Sequence, residues 1–183
     1  MKHRLHGFTL VELMVTVGVL GLLTALSVAA LGPLRDRYNR RQAAELVASA
    51  AARAQQSARE TGRCHRLEVW SADASGTPFR VTNVGDPGDR LRLVRRTTVD
   101  CELSVPTAEA AGELELVEWV RMPGRIRVRV QAGQSVPEWR PNSRPTGGTT
   151  ELRVMPGTGP ELAIRVMAQG PVCVSEIPLE DCP

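Results

Sequence analysis

An apolar run from Phe8 to Leu31, broken by a single charge at Glu12 and preceded by the short polar leader Met1–Gly7, constrains this chain more than any other feature. A helix of about 20 apolar residues crosses a bilayer, and this run is long enough to do so. Lys2 and Arg4 in the leader fix the orientation, because basic flanks stay cytoplasmic and everything after Leu34 is carried across. Glu12 is the anomaly. A carboxylate at the centre of a membrane helix costs about 2.5–3.5 kcal/mol on insertion scales, so it calls for a partner.

The stretch Gly7-Phe8-Thr9-Leu10-Val11-Glu12 resembles the class III signal of the type IV pilin superfamily. An ordinary secretory signal places its cleavage site after the apolar region, which is discarded. Here Gly7-Phe8 comes first, so a cut there leaves the apolar segment on the mature protein. The resemblance implies cleavage between Gly7 and Phe8 by a prepilin peptidase and N-methylation of Phe8. It also implies pairing of Glu12 in one subunit with the Phe8 amine of its neighbour, which would set the axial register of a filament. A signal-anchor helix with a chance Gly-Phe competes with this reading, and it leaves Glu12 unpartnered.

Four regions follow: a leader at 1–7, a transmembrane and assembly helix at 8–34, its amphipathic half at 35–62, and a β-rich globular domain at 63–183. About 120 residues remain for that domain, enough for one modest core. Aromatic residues make up only 3% of the chain, so the core must rely on Val, Leu, Ile and Ala. The formal charge is +3, and the leader removes Lys2 and Arg4, which leaves too balanced a chain to argue for nucleic acid by charge alone. Cys64, Cys101, Cys173 and Cys182 all lie in the exported part, where thiols are oxidised. Four cysteines allow three pairings that sequence does not choose between. The pairing expected is Cys64–Cys101 with Cys173–Cys182, the second stapling the tail. A zinc site competes, but no C-x-x-C occurs and only one histidine, His65, follows the leader.

Gly32-Pro33 interrupts the helical pattern, which then resumes. Ala43, Val47, Ala50, Ala54 and Ala58 make one narrow face of small side chains, and Gly62 is placed to cap the end. Beyond it the period falls to two. Strands are expected at 64–70, 79–84, 90–94, 98–103, 114–121, 125–131, 151–155, 162–167 and 172–177. Turns at Pro123-Gly124 and Pro156–Pro160 read as hairpins, and Glu138 to Thr150 reads as a loop. One long helix followed by short strands is an α+β plan with an antiparallel β domain, the pilin fold that the resemblance implies.

Within the superfamily the chain is most similar to the GspH/FimT group of minor pilins and pseudopilins. The likeness lies in the Ala- and Arg-rich stretch 51–62 and in a late strand–turn–strand beginning at Gly147-Gly148 and ending before Gly170. The resemblance implies a minor pilin that primes assembly of a type IV pilus and sits at or near its tip, or alternatively a type II secretion minor pseudopilin. Implied partners are other minor pilins, the major pilin, the prepilin peptidase and a tip adhesin. The implied location is the bacterial inner membrane, then a pilus or periplasmic pseudopilus.

One branch of the family, the competence minor pilins, binds DNA through Gly-Arg-x-Arg, and Gly124-Arg125-Ile126-Arg127-Val128-Arg129 matches that pattern at a different position. On a strand Arg125, Arg127 and Arg129 share one face. A solvated strand face is the reading adopted, and DNA contact is the alternative. No enzyme, cofactor or metal site is expected. Cys64 and His65 are consecutive on a strand and cannot form a dyad; Asp86 and Asp89 give too few oxygens for calcium. Trp70, Trp119 and Trp139 read as core or interface anchors.

Overall fold

The structure is a computed structural model, and it describes residues 9–81, 83, 85–98, 101, 111–142, 148–157, 159–167 and 172–176, leaving aside the side chains of 26–30 and 176. The chain forms two compact units, Met1–Tyr38 and Asn39–Pro183. One helix, α1 (Leu10–Thr61), supplies the first unit and opens the second, running through Pro33. It ends where Gly62 adopts a left-handed φ of 65°, a conformation that costs glycine little and other residues more.

In the second unit the expected small-residue face is the buried one. Ala43, Val47, Ala50, Ala54 and Ala58 have no solvent exposure and join a single core with Leu67, Leu91, Val128, Leu152 and Ile164. Small side chains let a helix approach closely, so one helical face can serve strands of two sheets. Each buried methylene removed from water contributes about 0.8 kcal/mol, so the stability of this core comes from its extent.

Nine strands are formed among the described residues: β1 (His65–Ala72), β2 (Pro78–Arg80), β3 (Arg90–Arg96), β4 (Leu114–Arg121), β5 (Arg127–Val130), β6 (Glu138–Trp139), β7 (Thr150–Met155), β8 (Leu162–Val166) and β9 (Val172–Glu176). They make two antiparallel sheets. One has the order β2-β1-β3-β4 with β6 also on β1, and the other has the order β5-β7-β8-β9. This is the α+β class expected, with a helix packed on antiparallel strands. The β7–β8 hairpin across 156–161 is as expected, with Leu152 opposite Ile164.

Other expectations are corrected. Pro123-Gly124 does not close a hairpin: β4 ends the first sheet beside β3, whereas β5 pairs with β7 in the second. Buried Met122 and Ile126 flank the turn and carry the chain from one sheet to the other. Residues 138–150 are not wholly a loop. Glu138 and Trp139 form β6 against Arg66 and His65, because Trp139 is a buried core residue that local turn chemistry cannot override. Of the strand expected at 98–103, Thr98 lies in a bend and Cys101 in irregular chain, and the other residues lie outside those described. Arg125 sits in a turn, and β5 begins at Arg127.

The two sheets meet at Gly88. Its N–H donates to the Val128 carbonyl and its carbonyl accepts from the Val128 N–H, both at 2.8 Å. A Cβ at Gly88 would stand 2.1 Å from the Trp70 carbonyl oxygen, so only glycine fits between β1 and β5.

The face of the first sheet opposite Leu67 and Val69 holds a charged network. Glu68 is almost fully buried, accepts from Trp70 Nε1 at 3.0 Å, and is met by Arg66 at 3.2 Å, Arg92 at 3.6 Å and Arg80. Glu138 links Arg66 at 3.5 Å to Arg96 at 2.6 Å. Burial pulls the Arg66 guanidinium below its ordinary value, and Glu68 and Glu138 oppose that pull. Arg92 stacks over Trp70 at 4.8 Å, and Trp70 meets Trp119 edge to face at 5.4 Å.

Candidate functional site: the helix N-terminus and its apolar shaft

Gly7 and Phe8, the expected processing and methylation residues, lie outside the described residues; Thr9 and Glu12 do not. Thr9 occupies the position just before the first helical residue, Leu10, and Glu12 stands three residues on. The Glu12 N–H donates to Thr9 Oγ1 at 3.2 Å. The Glu12 carboxylate accepts from the Thr9 N–H and from the Thr9 hydroxyl, each at 2.9 Å. This reciprocal arrangement is a capping box, which satisfies donors that the first helical turn leaves open.

The carboxylate is therefore not bare within its own chain, even on the rival signal-anchor reading. Hydrogen bonds stabilise the charge without neutralising it, so a cation would still gain by approaching it. Thr9 was missed by sequence reasoning, although Thr-x-x-Glu ahead of an apolar run is the signal that finds it. The cap uses the amide of Thr9 and not that of Phe8, so it would survive a cut before Phe8.

The shaft beyond it is apolar all round. Leu10, Val11, Leu13, Met14, Val15, Val17, Leu20, Leu22 and Leu23 are exposed on every face of the helix. A helix of that kind belongs inside a larger apolar body. Thr16 and Thr24 donate their hydroxyls to the carbonyls of Leu13 and Leu20 at 2.8 and 3.0 Å, so neither presents an open donor. A Cβ added at Gly18 or Gly21 would meet nothing within 4 Å among the described residues. Among the described residues no helix is long and apolar enough to cross a membrane, and the side chains of 26–30, inside the apolar run, are not among them.

The other candidates are dispersed. Cys64 and Cys101 form a disulfide, as expected, with Cα atoms 5.9 Å apart. Cys173 is also disulfide-bonded, while its expected partner Cys182 lies outside the described residues. His65 is buried beside Cys64, with Nδ1 3.1 Å from the Arg63 carbonyl. Burial holds its imidazole below the ordinary value, with Arg95 acting in the same direction.

Ile126, Val128 and Val130 pack inward as the alternation requires, but the three arginines do not form one free row. Arg129 pairs with Glu161 at 3.5 Å. Arg125 and Arg127 are exposed and line a cavity of about 500 Å³ with Asp89, Gly124 and Ile126.

Residues 2–28 match the model of the prokaryotic N-terminal methylation motif, so the chain carries that signal, consistent with a type IV pilin-like prepilin. No curated protein and no solved structure gives a significant match.

Proposed function

We propose that this chain is a structural subunit of a type IV pilin-like filament: a minor pilin that is cut before Phe8, helps to prime pilus assembly and sits at or near the tip. The observation that carries the reading is the methylation motif on a capped, all-round apolar helix whose surface is exposed among the described residues. Before assembly that surface would face lipid, with Glu12 near the cytoplasmic end and the β domain on the far side. On assembly, sister helices would replace the lipid, and glycine at 18 and 21 would let them approach closely.

Glu12 then has a second partner available, the new amine at Phe8 of an adjoining subunit. Pairing there neutralises a charge that the capping box only solvates. The minor role rests on the resemblance to the GspH/FimT group, whose late hairpin has its counterpart in β7–β8. No catalytic role is proposed for any residue.

Crosslinking of a tagged copy in its native cell, followed by mass spectrometry, tests the assignment. Recovery of pilus subunits with an adhesin supports the tip minor pilin. Recovery of type II secretion pseudopilins would assign the chain to that machine instead.

A further inference from the structure

Arg125, in the turn after β4, and Arg127, the first residue of β5, are a pair of exposed cations. Gly124 adopts φ 61°, and a Cβ there would lie 3.3 Å from Nδ2 of Asn39, the first residue of the second unit. One residue on, the Arg40 guanidinium donates to the Pro160 carbonyl at 3.1 Å. The β4–β5 and β7–β8 turns therefore both approach α1 where it enters this unit. Arg125, in the first of these turns, and Arg127, at the start of β5, open on the cavity beside Asp89. The Asp89 carboxylate is already held by Arg90, at 3.1 and 3.2 Å, so the arginines dominate the local field.

Asn39 follows Leu34, the last apolar residue of the shaft, by five residues, about 8 Å of chain at helical rise. A headgroup layer is about 5–8 Å deep, given a total thickness of about 40–45 Å around a 30 Å core. Arg35, Asp36, Arg37 and Tyr38 fill that interval in the sequence; tyrosine is enriched at membrane interfaces, and long arginine side chains near helix ends reach them.

We propose that the Gly124–Arg127 turn docks on anionic lipid headgroups of the membrane that holds α1, with Arg125 and Arg127 as the phosphate contacts. This rests on the membrane-inserted reading above. Guanidinium groups suit phosphate because their paired N–H donors match its oxygens. A nucleic-acid strand is the weaker occupant, because the third arginine of the row is engaged by Glu161 and two cations make a short track.

The test is amide hydrogen exchange of the full chain in nanodiscs of phosphatidylcholine alone and with phosphatidylglycerol at about a third of the lipid. Exchange across residues 122–127 is expected to slow roughly tenfold in the anionic discs, with β8 unchanged as internal control. Added salt should reverse the slowing, and Arg125→Gln with Arg127→Gln should abolish it. Equal exchange in both discs would overturn the proposal. So would slowing by an added oligonucleotide with none by anionic lipid, which would favour nucleic acid. A chain that enters neither disc would instead contradict the membrane reading itself.

Discussion

At the scale of single residues, the cap that Glu12 completes and the assembly pairing proposed for its charge can be separated by substitution. Thr9→Val removes the hydroxyl that caps the helix, at a cost of about 1 kcal/mol, but keeps the carboxylate. Glu12→Val removes the charge as well. Both variants are expected to accumulate in the membrane, and only Glu12→Val should be missing from sheared filaments by immunoblot. Equal loss of both would shift the role from the charge to the cap. Gly88 is the second decisive residue. Gly88→Ala would drive a methyl into the Trp70 carbonyl where the sheets meet, and we expect a loss of roughly 2–4 kcal/mol in thermal melts.

His65 sets a pH dependence. Its value is lowered by burial, so the neutral form is the one the fold accepts. Stability from this group is fully present above its ordinary value of 6.5 and is lost as pH falls below it. His65→Gln should flatten the melting temperature across that window. Further acidification would engage Glu115, whose carboxyl is lowered by Arg95, and Asp73, which accepts hydrogen bonds from Ser75 and Thr77.

At the scale of elements, the alanine face of α1 could be read from its spacing, and β1, β3, β4, β7 and β8 from short apolar runs bounded by turn residues, although β3, β7 and β8 are buried on both faces. Local pattern failed where a long-range partner outweighed local chemistry. Glu138-Trp139 sits between Pro137 and Pro141 and reads as loop, yet Trp139 enters the core and Glu138 joins buried Arg96. Removing one partner of such a buried network leaves an uncompensated charge, which costs about 3–5 kcal/mol, so Glu138→Ala should be far worse than Glu118→Ala, which breaks a half-exposed pair with Arg53. Urea denaturation of the two variants would show the difference. The disulfide belongs to this scale too. Its 37-residue separation implies about 4 kcal/mol on the chain-entropy account, so Cys64→Ala with Cys101→Ala should lower the urea midpoint markedly.

At the scale of the whole molecule, the two-part plan was legible because an apolar run and a period-two region obey different physics. The division of the strands into two sheets was not legible. It follows from β4 pairing back to β3 while β5 pairs ahead to β7, long-range pairings that no local pattern encodes. The proposed cut at Gly7-Phe8 rests on the sequence motif alone, since both residues lie outside the described residues.

The central claim is that this chain is matured at Gly7-Phe8 and polymerised through its apolar helix. The most direct test is mass spectrometry of the N-terminal peptide of the protein from a sheared filament fraction. The account predicts N-methylated Phe8 as the first residue, and an uncut precursor absent from filaments when Gly7→Asp is introduced. A filament-borne chain that still begins at Met1 would contradict it.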